Sequence, residues 1–240
     1  MRNVFLAWTV GFILSLSCHG ALAERIVWAR GSVHFGHECK PPAESCQLAY
    51  VLAPNHRYAV RVARTKESLT VVVVEGVRRF PIPLAKDMNA EMDWFVEMEI
   101  LWAPDSSAVS FAWNTSAITW SSQIYTVGPD GVRSVDLSEV RRRFVSTWPA
   151  CVGVEGDCDV STSGGSYNYL TVAWASPHTV VMMAEVPSSS SYGANLGRVV
   201  GYELDTKTDR IVRSMPPREF KRRWQSRMGW EFNLAAAGGL

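Results

Sequence analysis

After residue 16 the sequence lacks any apolar run approaching the roughly 20 residues that a helix needs to cross a bilayer, so its body reads as free of transmembrane helices. It also lacks a charge excess. Its 24 lysines and arginines are balanced by 23 aspartates and glutamates, and without Arg2 the balance is even. Nothing in that balance draws the chain toward nucleic acid or an acidic membrane. The familiar catalytic signatures are missing as well. There is no G-x-S-x-G elbow, no H-E-x-x-H, no P-loop, and no G-x-G-x-x-G between a strand and a helix. Cysteine is scarce, with five in 240 residues, and Cys18 lies beside the only long apolar run.

That run carries the clearest signal in the chain. Arg2 supplies a positive start, residues 4–16 form an apolar core, and Ala21-Leu22-Ala23 forms an A-x-A cleavage site. The pattern is that of a secretory signal peptide over residues 1–23, cleaved after Ala23. The protein is therefore expected to be exported to the periplasm or the exterior. In that oxidising setting Cys39, Cys46, Cys151 and Cys158 are expected to form disulfides. Four cysteines leave the connectivity open. The favoured pairs are Cys39–Cys46 and Cys151–Cys158, each closing a short loop. Each would contribute about 2–3 kcal/mol in the chain-entropy account. Neither pair has zinc spacing. His34, His37 and Glu38 beside Cys39 offer too few ligands once the cysteine is bonded. Glu155, Asp157 and Asp159 do not have the spacing of a calcium loop. No metal and no cofactor are expected.

The region 26–135 reads as short strands separated by turns. Strands are expected at 26–34, 48–52, 58–64, 69–75 and 78–82, then from 95 to 102, and at 108–113, 124–127 and 132–135. Pro41-Pro42 excludes helix from the loop 36–45, and Gly76 suits a hairpin. The second half repeats the first. VRSVDLSEVRRRF, residues 132–144, aligns without gaps to VRSMPPREFKRRW, residues 212–224, at a constant offset of 80. Trp174 echoes Trp102 and Tyr202 echoes Tyr125. Each copy ends in a helix, expected over 138–148 and 217–228. Val140, Phe144 and Trp148 share one face of the first, and Phe220, Trp224 and Met228 share one face of the second. Ser138 is placed to cap the first helix, and Pro216-Pro217 fits the start of the second.

Three turns share a pattern of an apolar strand end, a proline and a polar residue. They are Leu52-Ala53-Pro54-Asn55, Trp102-Ala103-Pro104-Asp105 and Trp174-Ala175-Ser176-Pro177-His178. The pattern resembles the W-S-P-D-G signature of the WD40-like repeats of periplasmic β-propellers, in which Pro-Asp-Gly turns between two strands of a blade. Here no glycine follows Asp105, and Asn55 and His178 stand in the aspartate position. Three such units are visible, whereas closed propellers have about four to eight blades. The resemblance thus implies a small propeller, a partial one completed by self-association, or two similar β-plus-helix halves. The expected fold class is mainly β, with propeller-like repeated antiparallel sheets and two short packing helices. The expected organisation is a single β-rich domain over 24–240, with an internal repeat at about 94–148 and 168–228.

The candidate binding residues are the two basic clusters that the repeat places in register: Arg141, Arg142 and Arg143, and Lys221, Arg222 and Arg223. Such ridges suit an anionic envelope surface or an acidic envelope protein, although basic runs on helices are often plain solvated faces. Ten tryptophans are present. Trp102 and Trp174 recur at equivalent positions and are expected in the core. Trp94, Trp113 and Trp120 lie on or beside strands, and Trp120 and Trp230 are candidates for exposure. The Ser-, Gly- and Tyr-rich loops 161–169 and 187–197 suit an adaptable recognition surface. The functional expectation is an exported, non-enzymatic binding or assembly module of the cell envelope. The alternative is a secreted hydrolase or lyase acting on envelope polysaccharide, with Asp93, Glu97 or Asp105 as carboxylates in a Trp-lined cleft.

Overall fold

In each of the three proline turns the chain reverses between antiparallel strands, and each time it continues as a four-stranded meander. The computed structural model describes residues 25–28, 30–35, 47–64, 69–83, 96–114, 120–146, 167–186 and 197–224. The signal peptide, all the cysteines, His37, Glu38, the acidic residues 155–159, most of the two Ser- and Gly-rich loops, Asp93, Trp94, Trp148, Met228 and Trp230 lie outside them.

Two strands open the described chain, β1 (Arg25–Trp28) and β2 (Arg30–Phe35). The first meander is β3 (Gln47–Leu52), β4 (Ala59–Arg64), β5 (Leu69–Glu75) and β6 (Arg78–Pro81). The second is β7 (Val96–Trp102), β8 (Ala108–Asn114), β9 (Trp120–Gly128) and β10 (Gly131–Ser134). Helix α1 (Ser138–Ser146) follows it. The third is β11 (Asn168–Ser176), β12 (Thr179–Glu185), β13 (Val199–Asp205) and β14 (Arg210–Met215), followed by α2 (Pro217–Trp224).

The expected single strand over 26–34 is corrected. β1 runs parallel to β3 on the first sheet, whereas β2 runs antiparallel to β7 on the second. One strand-forming segment therefore covers the leading edges of two sheets. A strand pattern records burial but not its partner, which is why the split was not legible.

The mainly-β class with two packing helices holds. Among the described residues the sheets form an open stack and do not close into a ring. One apolar core lies between the first and second sheets, built from Val51, Val60, Val62, Val71 and Val73 against Met98, Ile100, Phe111 and Trp113. A second lies between the second and third sheets and includes Val140 and Phe144 of α1. A third lies on the far side of the third sheet, where Phe220 and Trp224 of α2 pack with Leu170, Val181 and Met183. Strand β8 shows how period-two alternation sorts size as well as polarity. Its Val109, Phe111 and Trp113 face the first sheet, while its Ala108 and Ala112 belong to the other cores. Strand β12 is apolar on both faces, with Val180 and Met182 in one core and Val181 and Met183 in the next. Such a doubly buried strand reads as a continuous apolar run.

The two inter-sheet junctions use the same stitches. Trp102 donates its indole N–H to the Val51 carbonyl at 3.1 Å, and Trp174 donates to the Leu101 carbonyl at 3.2 Å. Each acceptor stands one residue before the tryptophan-equivalent position of the preceding unit. On the outer side, Arg78 donates to the Pro129 carbonyl at 2.6 Å, and Arg133 donates to the Thr206 carbonyl at 2.6 Å and to the Asp209 carboxylate at 2.9 Å. Both tryptophans are buried, at 3% and 7% exposure, as their recurrence implied.

Candidate binding surface

The helices carry the candidate cations, and their local chemistry explains where they start. The first expectation needs a correction. Asp136, not Ser138, supplies the cap of α1, accepting the Ser138 N–H at 2.8 Å and its hydroxyl at 2.8 Å. The Ser138 N–H and hydroxyl bonds hold the Asp136 carboxyl below its usual pKa, against a small opposing effect of burial. In α2 the first helical residue is Pro217, whose missing N–H costs nothing at that position. Helix α1 lies along β14, where Glu139 accepts the Ile211 N–H at 3.3 Å and Arg143 reaches the Ser214 hydroxyl at 3.5 Å. Helix α2 lies on β13. There Phe220 sits directly over Gly201, and a Cβ at that position would come within 2.2 Å of its ring.

The six cations divide by position. Arg141 stacks on the Tyr169 ring at 4.5 Å and donates to its hydroxyl. Arg143 pairs with Glu139 at 3.3 Å, and its counterpart Arg223 lies 3.6 Å from Glu203 and over the Trp224 ring. Lys221 is half-buried and forms no ion pair among the described residues. Arg142 and Arg222 are exposed, and neither guanidinium meets an acid or a hydrogen-bond acceptor among the described residues. The two are equivalent under the repeat. Arg218, outside both basic clusters, is also exposed and has no ion pair among the described residues; it lies in the first turn of α2. A cation there opposes the helix macrodipole, so helix stability does not account for its presence. That mismatch was visible in the sequence.

Of the carboxylates of the alternative reading, Glu97 and Asp105 stand at opposite ends of β7. Asp93 lies outside the described residues. Glu97 lies on β7, in register with Asn114 and His34. Asp105 is occupied within its own turn, accepting the Ser107 N–H at 3.0 Å and the Ser107 hydroxyl at 2.7 Å. Partial burial pushes its pKa up, but those two bonds and the nearby His178 outweigh it and leave the carboxyl below its usual value. The matching turn of the first sheet has the same form. Asn55 accepts the Arg57 N–H at 2.9 Å, and His56 and Ser106 share a left-handed backbone at φ 58° and 66°. The proline turns are therefore architectural, and they also touch one another, with Asn55 donating its N–H to the Ser106 hydroxyl at 3.0 Å.

Among the described residues no helix is long and apolar enough to cross a membrane, and no cluster of three His, Cys, Asp or Glu residues is placed to hold a metal ion. No protein-family model, curated protein or solved structure matches the chain.

Proposed function

We propose that this protein is an exported, non-enzymatic binding or assembly module of the cell envelope, which meets an acidic envelope protein or an anionic envelope surface through α1 and α2. The observation that carries the reading is the pair Arg142 and Arg222. Two exposed guanidinium groups stand at equivalent points of successive units with no acid beside them among the described residues. Of their flanking cations, Arg143 is held by Glu139 and Arg223 lies near Glu203, which leaves this pair, with Arg218, as the exposed open charge among the described residues. The secretory signal pattern at the N-terminus supports the address.

The test is retention of envelope extract on immobilised protein, wild type against the double variant Arg142→Glu/Arg222→Glu. A basic side chain near an anionic surface contributes about 1 kcal/mol, so loss of both should weaken retention roughly 30-fold. Retention should also fall with added salt. Equal, salt-insensitive retention by both proteins would remove the basis for the assignment.

A further inference from the structure

Tyr125 and Tyr202 occupy equivalent places on β9 and β13, and each points toward the preceding sheet. Their hydroxyls fare differently. That of Tyr125 has two acceptors, the Pro83 carbonyl at 2.8 Å and Gln123 Oε1 at 2.9 Å. Tyr202 is fully buried, at 0% exposure, and its hydroxyl has no hydrogen-bond partner among the described residues. The Nε–H of Arg198 is likewise buried without a partner among them. Arg198 immediately precedes β13, and alternation places it on the same face as Tyr202. Arg143 approaches from α1. It meets the hydroxyl of Ser214, which is the cross-strand partner of Tyr202. Burial pushes the Tyr202 phenol up to about 12, and the charges of Arg143 and Arg198 both act against that rise.

The groups that face this point are donors: a phenol O–H and two guanidinium groups. The nearest acid tied to them, Glu139, is turned to β14, where it holds Arg143 and the Ile211 N–H. A buried phenol O–H and a buried guanidinium N–H with no acceptor among the described residues are suited to an anion, because charge-assisted hydrogen bonds offset the desolvation of both sides. We propose that the face of β13 bearing Tyr202 and Arg198 binds a small oxyanion, a phosphate or carboxylate group. Tyr202 and Arg198 Nε donate to it, and the half-exposed Arg143 closes it from solvent. The site is independent of the exposed pair Arg142 and Arg222.

The experiment is thermal unfolding at constant ionic strength, with chloride replaced stepwise by inorganic phosphate or by acetate. The melting temperature should rise with the concentration of one of them, as mass action requires for a ligand of the folded state. A response to phosphate alone identifies a tetrahedral oxyanion, and a response to acetate alone a carboxylate. Tyr202→Phe keeps the ring and should weaken the apparent affinity about ten-fold or more. Arg198→Met should do the same, and it supplies the reading if Tyr202→Phe does not fold. No response to either anion, or equal responses in wild type and Tyr202→Phe, would overturn the proposal.

Discussion

The junction between the first two sheets and the junction between the last two are made from the same parts, yet they differ where their tyrosines end. Both use a tryptophan N–H to an inner-strand carbonyl and an arginine to an outer-turn carbonyl. In the first, Tyr125 completes its hydrogen bonding within the protein. In the second, Tyr202 finds no partner among the described residues, and the charges of Arg143 and Arg198 act on it. The shared parts hold the stack together. The departure between two otherwise matching junctions is where chemistry beyond stability should be sought, since an unpaired buried hydroxyl costs about 1–3 kcal/mol.

The comparison can be broken at several points. Trp102→Ala and Trp174→Ala each remove a buried indole and its stitch, so each should lose about 3–5 kcal/mol in urea unfolding. Similar losses would support matched junctions, and a wild-type unfolding curve for either would end the equivalence. Gly201→Ala drives a methyl group into the Phe220 ring and should cost about 1–3 kcal/mol. A neutral outcome would mean that α2 moves off β13 without penalty.

The tyrosine pair gives a sharper contrast. Tyr125→Phe should lose about 1 kcal/mol, while Tyr202→Phe in buffer free of phosphate and carboxylates should be neutral or slightly stabilising. Equal losses at both positions would show that Tyr202 has a partner in the folded protein. The smallest effect concerns the α1 cap. The folded-state pKa of Asp136 is depressed, so its contribution is present above the ordinary carboxylate range, near about pH 4, and disappears as pH falls through the folded value. Asp136→Asn should cost roughly 0.5 kcal/mol at neutral pH, reduced by solvent screening, and the difference from wild type should close as the pH falls through the folded value. A difference that persists in acid would assign the cap to geometry rather than charge.

Much of this stack could be read from the chain. The turns at Pro54 and Pro104, the valine strand β5, the hairpin at Gly76, the recurring tryptophans and the buried placing of Val140, Phe144, Phe220 and Trp224 all follow from local pattern, and all are found. What was not legible depends on partners distant in sequence. Nothing local in residues 25–35 says that their two halves serve different sheets. The assignment of the large side chains of β8 to the first sheet depends on which sheet arrives on which side. The basic clusters could be located in the sequence, but their members could not be told apart. Only packing distinguishes Arg142, in the open, from Arg143, tied to Glu139 and Ser214. Asp105 read as a candidate acid because a turn residue and a catalytic residue look alike until the Ser107 bonds are seen.

The opening strands impose an order on how the protein comes to be folded. Phe35 pairs with Val96, so the pairing of β2 cannot begin until the chain as far as β7 is present and collapsed. Ordering so long a loop is slow relative to the local meanders. Until then β7 presents an unpaired backbone edge, whereas the outer strands are guarded by Arg78, Arg79 and Arg133 and ended by Pro81. The edge of β7 is thus the vulnerable part of the incompletely folded chain, and β2 acts, in effect, as its own late-pairing chaperone.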